Sequence, residues 1–147
     1  MVIDFYQKLS DRSIYQRYFH RQVDARVTHE TLCRICHIDY DHEMVLVVFY
    51  EEADSGHTRM IAGGRLIKLP SGNEAEFAIV VADEFQGKGL GTELCRCLLA
   101  IARAEGIQRV TCSILPENTP MCSICSRLGF HLAFDLRSHL VQGEITL

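Results

Sequence analysis

Hydrophobic residues recur along this chain at two spacings, and the change from one to the other outlines a fold. Apolar positions three and four residues apart predict helices, whereas short apolar or alternating runs between turn residues predict strands. In chain order, we predict helices over 2–8, 11–19 and 28–37, strands over 44–50, 59–69 and 74–81, a helix over 88–105, a strand over 109–115, a helix that ends at Gly129, and strands over 130–136 and 140–146. This order indicates the α+β class: a mixed sheet in three layers, α/β/α, in a single domain over residues 1–147.

Two strands of the predicted antiparallel meander carry unusual patterns. The run from Met44 to Tyr50 has no polar alternation, which is typical of a strand that is buried on both faces. Gly63 and Gly64 interrupt the next strand, where glycine often marks a bulge or the close approach of another backbone. The pattern therefore predicts a covered first strand followed by an irregular one.

The stretch Gln86-Gly87-Lys88-Gly89-Leu90-Gly91-Thr92 stands between the third strand and the long helix. Its glycines let a bulky ligand approach the backbone without meeting side chains. The amides of a first helical turn lack partners inside the helix, and the helix dipole makes their surroundings positive. A strand, a glycine-rich loop and a helix in this order predict a site for a phosphate or pyrophosphate. The alternative is a plain turn in which glycine provides tightness.

The spacing of the glycines separates this loop from two common phosphate-binding motifs. The Gly-x-x-x-x-Gly-Lys-Ser/Thr pattern of Walker loops is absent, and Gly-x-Gly-x-Gly in mid-chain differs from the dinucleotide fingerprint. The pattern Gln-x-x-Gly-x-Gly at a strand-to-helix junction resembles the acetyl-CoA pyrophosphate loop of the GCN5-related N-acetyltransferase (GNAT) family. The order of elements and the segment Asn118 to Phe130, which ends Arg-Leu-Gly-Phe, are also similar to that family. The resemblance covers nearly the whole chain.

A narrower likeness is carried by two stretches closer to the N-terminus. Leu9-Ser10-x-x-Ser13-Ile14-Tyr15-x-Arg17-Tyr18-Phe19 and Ile38-Asp39-Tyr40-Asp41-x-Glu43-Met44 resemble the acetyltransferase domain of bacterial Pat-type protein lysine acetyltransferases. That domain is often fused to others, and we expect it to stand alone here. The resemblance implies acetyl-CoA as co-substrate and an amine acceptor, a lysine on a protein. The alternative is that the aromatic residues are core residues and Arg17 is a surface charge.

The GNAT resemblance also implies which residues hold acetyl-CoA. The loop would take the pyrophosphate, the strand before it would pair with the pantetheine arm, and an amide at or near Val81 would donate to the thioester oxygen. Lys88 would add a charge beside the phosphates, with a solvated lysine as the alternative. The cofactor-binding residues expected on this basis are Ile79, Val80, Val81, Gln86, Gly87, Lys88, Gly89, Leu90, Gly91, Thr92 and Asn118.

A lysine acceptor needs a general base, because its pKa of about 10.4 keeps it protonated at neutral pH. Glu74 and Glu76 lie two residues apart on the strand before the loop and therefore share one face. The family often places its catalytic glutamate here. We favour Glu76, which is nearer the thioester end; the alternatives are Glu74 and a pair of solvent-facing acids. Cys125 stands where many relatives carry a tyrosine as general acid, and we expect a packed thiol there.

Two functions fit these residues. The first is an acetyl-CoA-dependent N-acetyltransferase that works by direct attack of the amine, and a covalent acetyl-cysteine route is a variant of it. The second is a non-catalytic module that binds acyl-CoA and regulates a partner. The intact loop fits both functions, and Glu76 discriminates between them.

The start of the chain bears on assembly. Relatives usually begin with a strand that pairs with the edge of the meander, but here the helical pattern starts at Val2. We therefore expect the usual first strand to be missing and the run Met44 to Tyr50 to form the sheet edge. A long apolar edge without proline or charge pairs readily with another chain. This predicts a homodimer through that edge or a partner segment that covers it; the alternative is that the N-terminal helices shield it.

Composition narrows the remaining classes. The formal net charge of −4 argues against a nucleic-acid partner and is compatible with a cationic amine. The longest apolar run is too short to span a membrane and Asp4 interrupts any signal-peptide core, so we expect a cytoplasmic protein with no membrane partner.

The seven cysteines include two Cys-x-x-Cys pairs, Cys33/Cys36 and Cys122/Cys125. We expect buried thiols and no metal, with structural zinc as the alternative.

Overall fold

A six-stranded sheet forms the centre of the protein in the computed structural model, which describes residues 1–19, 33–34 and 36–147. The helices of this part are α1 (Val2–Lys8), α2 (Asp11–Tyr18), α3 (Leu90–Ala104) and α4 (Thr119–Arg127). The strands are β1 (Glu43–Glu51), β2 (Thr58–Lys68), β3 (Glu74–Val81), β4 (Arg109–Ile114), β5 (His131–Asp135) and β6 (Leu140–Thr146). Their order is β1-β2-β3-β4-β6-β5, and every neighbouring pair is antiparallel except β3 and β4. The predicted α+β fold is confirmed.

Helices cover both faces of the sheet, which makes three layers. On one face, α3 and α4 pack on a large core that includes Phe77, Leu98 and Val110. On the other face, a smaller core joins α1 and α2 to β2 and β3 and includes Val80. Phe77 and Val80 are three residues apart on β3, so their side chains lie on opposite faces of the sheet. The layers follow from the two apolar faces of the central strands.

The strands β3 and β4 pair over a short distance and then separate. β3 pairs with β2 from Ala75 to Val81, but with β4 only from Glu74 to Glu76. β4 continues along β6 as far as Ile114. Because each strand follows its antiparallel neighbour, a gap opens between the carboxyl halves of β3 and β4. This gap positions the site described below.

The irregularity predicted for β2 is present, but its cause differs from the expectation. The register between β1 and β2 shifts at Ile61, before the two glycines. At Gly64, a Cβ would lie 2.9 Å from Leu98 Cδ1 and 3.2 Å from Leu94 Cγ. Glycine is needed there because leucine side chains of α3, rather than another backbone, approach the strand closely.

The prediction that the run Met44 to Tyr50 is buried on both faces is wrong. Met44 and Leu46 pack on the large core, but Val47 is 39% and Phe49 54% exposed. The reason lies in the topology: β1 is the end strand of the sheet, and among the described elements α1 contacts β2 and α2 contacts β3. The expectation that this run forms a sheet edge is confirmed.

The remaining predicted elements agree with the structure to within about two residues at each end, as sequence patterns allow. The predicted helix over 28–37 lies mostly outside the described residues. Within the described ranges, no strand precedes α1. Among those same residues, no helix is long and apolar enough to cross a bilayer.

Candidate active site

The glycine-rich loop leads from a short 3-10 turn, Asp83–Phe85, into α3. Gly87 and Gly89 have φ angles of 71° and 86°, a left-handed conformation that glycine adopts without strain. A Cβ at either position would meet no atom within 4 Å, so the loop surface is open there. Gly89 is the N-cap of α3 and no side chain caps the helix, which leaves the amides of its first turn available to a ligand. This geometry suits an anion.

A cleft of about 410 Å³ lies where β3 and β4 separate. Residues 77–81 of β3 and 112–114 of β4 line it, together with parts of α2, the glycine-rich loop and α4. Asn118, whose Oδ1 caps α4 by accepting from the Met121 amide at 3.3 Å, also borders the cleft. The predicted cofactor-binding residues that line the cleft are Ile79, Val80, Val81, Gln86, Gly87, Gly89, Gly91, Thr92 and Asn118. The structure therefore brings nearly all of them to one place.

Lys88 and Leu90 are the two members of the predicted set outside this lining. Lys88 Nζ lies 5.3 Å from the centre of the Phe85 ring, a cation–π distance. The Arg59 guanidinium lies 5.4 Å from the same ring. Leu90 begins α3 and contributes its backbone to the first helical turn. In this structure the groups of the loop that border the cleft are backbone amides at the positive end of the helix dipole.

The edge of β3 that faces the cleft carries backbone groups beyond the ladder with β4. The Ala82 amide donates to the Ile61 carbonyl of β2 at 2.8 Å. Because successive amides along a strand point to opposite sides, the amides of Val81 and Ile79 point away from β2 and toward the gap. The Val81 carbonyl, which points the same way, accepts from Gln86 Nε2 at 3.0 Å. The Val81 and Ile79 amides are thus placed to bind a ligand in the cleft.

Glu76 is the one carboxylate that lines the cleft in the described part of the chain. It stands opposite Ile67 of β2 and Thr111 of β4, at the last paired position before β3 and β4 separate. Its side chain shares a face of β3 with Val80, the face on which α2 packs. The side chain is exposed, so a carboxylate here can exchange protons with bound substrate or water.

Glu74 has a different environment, although it lies on the same face. Arg109 Nε and Nη2 each donate to one of its carboxylate oxygens at 3.1 Å, in a two-pronged ion pair. Arg109 Nη1 also donates to Glu144 Oε2 at 2.9 Å. In the part of the chain that the structure describes, Glu74 is not among the residues that line the cleft. The β2–β3 register shows no shift along β3, so the two glutamates keep the spacing that the sequence implies.

The cysteines near the cleft are packed thiols. Cys125 is fully buried, and its Sγ lies 3.9 Å from Cys112 Sγ. The hydrogen bond with Cys125 raises the pKa of the Cys112 thiol, and burial raises it further. Burial raises the pKa of Cys95 to about 12. In the part of the chain that the structure describes, no group of three His, Cys, Asp or Glu side chains is placed to hold a metal. The thiols that are protonated and buried are poor nucleophiles and poor proton donors to the cleft.

Sequence reasoning missed the contribution of α2 to the cleft. Arg12, Ser13, Gln16 and Arg17 all line it. The signal was present in the spacing: Arg12 and Gln16, and likewise Ser13 and Arg17, are four residues apart and therefore share a polar face of the helix. The alternative that treated Arg17 as a plain surface charge overlooked this face.

Known proteins with a similar sequence or fold agree with the interpretation of the cleft. A family model described as an acetyltransferase (GNAT) domain matches residues 2–131. The chain belongs to the GNAT family. The GNAT domain of Pat from S. lividans superposes on it with a TM-score of 0.82 at 26% identity, covering 99% of this chain and 82% of that chain. A cAMP-binding acyltransferase from Mycobacterium smegmatis gives a TM-score of 0.62 at 28% identity, over 92% of this chain and 40% of that chain.

Two curated relatives of this GNAT chain are longer than it. An acetyltransferase of Pseudomonas aeruginosa is 30% identical over 99 residues, which is 67% of this chain and 52% of the relative. The acetyltransferase Pat of Mycolicibacterium smegmatis is 28% identical over 123 residues, which is 83% of this chain and 35% of the relative. The chain thus spans about half, or about a third, of the relatives it matches. The predicted likeness to Pat-type acetyltransferases is confirmed at the level of the domain.

Proposed function

We propose that this GNAT domain transfers an acetyl group from acetyl-CoA to an amine, and that the acceptor is a lysine on a protein. The observation that carries the proposal is the cleft between β3 and β4, which combines an anion-binding helix N-terminus, free strand amides and a single carboxylate among the described residues that line it. Acetyl-CoA needs a partner for its pyrophosphate, hydrogen bonds for its amide-rich arm and an oxyanion donor at its thioester. The cleft offers all three.

The loop residues Gln86 to Thr92 would hold the pyrophosphate through their backbone amides. The exposed edge of β3 at Ile79 and Val81 would pair with the pantetheine arm as an added strand would. The Val81 amide would donate to the thioester oxygen as the amine nitrogen attacks the carbonyl carbon. Residues 112–114 of β4 and Asn118 close the opposite side. The arginines of the lining, Arg12, Arg17 and Arg127, favour an anionic co-substrate.

Glu76 would act as the general base. An ammonium ion cannot attack, so a proton must leave the acceptor nitrogen, directly to Glu76 or through a water molecule. The nitrogen then bonds to the thioester carbon, its second proton passes to water, and the carbon–sulfur bond breaks to leave a neutral amide. Coenzyme A departs as a thiolate, whose conjugate acid has a pKa near 8.5, so its departure needs little assistance. Buried Cys125 is not required as an acid.

The acceptor class rests on the likeness to the acetyltransferase Pat, together with the expectation from the sequence resemblance that the acceptor is a lysine on a protein. Glu76 lies on the exposed, α2-facing side of β3, where an extended lysine side chain can enter. Its negative charge attracts an ammonium group before deprotonation. A free amino acid or a small amine is the alternative acceptor, and both are included in the test below.

Acetyl transfer is tested by mixing the protein with acetyl-CoA and a panel of lysine peptides, free lysine and small amines while following release of free thiol. We expect thiol release above the rate of hydrolysis with lysine peptides, and one added acetyl group on the peptide by mass spectrometry. Matched peptides with arginine in place of lysine are the control and should remain inactive. Tight acetyl-CoA binding with no transfer to any amine would favour the non-catalytic binding module instead.

We also propose that the run Met44 to Tyr50 of β1 pairs with a second copy of the chain. It is an edge strand with exposed apolar side chains at Val47 and Phe49, the kind of edge that adds a strand from another molecule. Light scattering should report a dimer for the wild type and a monomer for Val47→Lys. Phe134→Lys is the matched control, because Phe134 is 51% exposed on β5 at the opposite sheet edge, and should leave the dimer intact. A monomeric wild type would refute the pairing.

A further inference from the structure

A hydrogen-bonded network joins helix α2 to the end of β3 and to the glycine-rich loop. Asp83 lies two residues beyond the end of β3. Its carboxylate accepts from Ser10 N at 3.0 Å, from Ser10 Oγ and from Ser13 Oγ at 2.9 Å. Ser13 Oγ in turn accepts from Gln86 Nε2 at 3.0 Å. These contacts link residues about 70 positions apart in sequence. Helix α2 and the loop are therefore held together by side chains rather than by the backbone ladder.

The Gln86 amide group is oriented by its two acceptors. Its Nε2 has two hydrogens, one donated to Ser13 Oγ and the other to the Val81 carbonyl at 3.0 Å. The Val81 carbonyl can only accept, so the nitrogen of the amide must face it. This bond restrains the Val81–Ala82 peptide, which adjoins the Val81 amide that points into the cleft. Ser13 thus reaches the backbone of Val81 through a single side chain.

The network includes a buried hydroxyl and an ionised acceptor. Ser13 is the one buried polar residue in the described chain, at 5% exposure, so its hydroxyl depends on these partners. Partial burial acts to raise the pKa of Asp83, but the hydrogen bonds from Ser10 and Ser13 outweigh it and hold the pKa below its usual value. Asp83 is therefore a carboxylate at neutral pH, and hydrogen bonds to an ionised acceptor are the stronger kind.

We propose that Ser13 and Asp83 are positioning residues for acetyl-CoA binding, acting through Gln86 on the loop and on the Val81 amide. Neither residue needs to touch the reacting atoms. Asp83 accepts from Ser13, and Ser13 accepts from Gln86. Gln86 begins the loop and donates to the carbonyl of Val81, the last residue of β3. The inference rests on the proposed function, because it assigns the Val81 amide and the loop to acetyl-CoA.

Calorimetric titration with acetyl-CoA tests the proposal without relying on turnover. We expect Ser13→Ala to weaken acetyl-CoA binding about five- to tenfold, the range for one lost hydrogen bond of ordinary strength. Ser13→Thr keeps the hydroxyl and should restore most of the affinity. In steady-state assays, the KM for acetyl-CoA should rise while the KM for the amine stays within about twofold. Ser55→Ala, in the turn after β1, removes a serine hydroxyl that bonds Glu52 and His57 and is the matched control.

A double-mutant cycle separates positioning from general loss of stability. If Ser13 acts through Gln86, Ser13→Ala should have no further effect on affinity when introduced into a Gln86→Ala variant. Independent, additive losses would overturn the proposal, as would an unchanged affinity in Ser13→Ala. Thermal unfolding of each variant identifies any that fail to fold. A wild type that does not bind acetyl-CoA at all would instead refute the proposed function.

Discussion

A Gly89→Asp variant should lose measurable acetyl-CoA binding while remaining folded. Gly89 caps α3 with a φ of 86°, and a Cβ there meets no atom within 4 Å, so the new side chain fits into open space. The left-handed backbone costs a non-glycine residue about 1–2 kcal/mol, which the fold can tolerate. The carboxylate would occupy the anion site at the helix N-terminus and repel the pyrophosphate. We expect affinity by calorimetry to fall more than about 100-fold, which exceeds one lost contact.

Two matched variants separate charge from backbone strain. Gly72 lies in the turn between β2 and β3 with a φ of 80° and an equally open Cβ position. Gly72→Asp should cost similar stability and leave acetyl-CoA affinity unchanged. Gly89→Ala adds the strain without the charge and should weaken binding far less than Gly89→Asp. Unchanged acetyl-CoA affinity in Gly89→Asp would show that the pyrophosphate binds elsewhere.

A Glu76→Gln variant should lose about 100-fold in kcat while its acetyl-CoA affinity stays close to that of the wild type. Glutamine keeps the size and polarity of the side chain but cannot take a proton at the position where β3 and β4 part. Fewer than about one lysine in a thousand is neutral at pH 7, because the pKa of the free amine is about 10.4. Without a base, turnover depends on that small fraction. Stopped assays at saturating acetyl-CoA measure the loss.

The pH dependence of turnover tests whether the Glu76→Gln variant has lost a general base. Each unit of rising pH increases the neutral amine about tenfold until the amine pKa is reached. The variant rate should therefore climb with pH and the deficit against wild type should shrink toward pH 10. A deficit that stays constant with pH would contradict the role as base. Glu74→Gln is the comparison: it breaks the ion pair with Arg109 and should lower thermal stability, and if it shows the pH-dependent loss instead, the base is Glu74.

The two glutamates illustrate why sequence alone left the base open. Both lie on one face of one strand, and in the sequence only the nearness of Glu76 to the thioester end favoured one over the other. Their environments come from distant parts of the chain: Arg109 on β4 pairs with Glu74, while the separation of β3 from β4 leaves Glu76 at the cleft. A prediction from spacing can place a carboxylate on a face, but its partners depend on the strand that packs beside it.

The sequence by itself determined nearly all the helices and strands in the described part of this protein and the position of its glycine-rich loop. Helices, strands and the glycine-rich turn before α3 depend on interactions between residues that are close in sequence. A local pattern is therefore enough to predict them. The GNAT likeness and its set of loop residues followed from that pattern. Only the tertiary structure decided which side chains accompany the loop. Ser13 and Arg17 of α2 reach the cleft, Lys88 lies on Phe85, and β1 is exposed on one face because it is the end strand. These outcomes depend on contacts between segments far apart in the chain, and no local period carries that information.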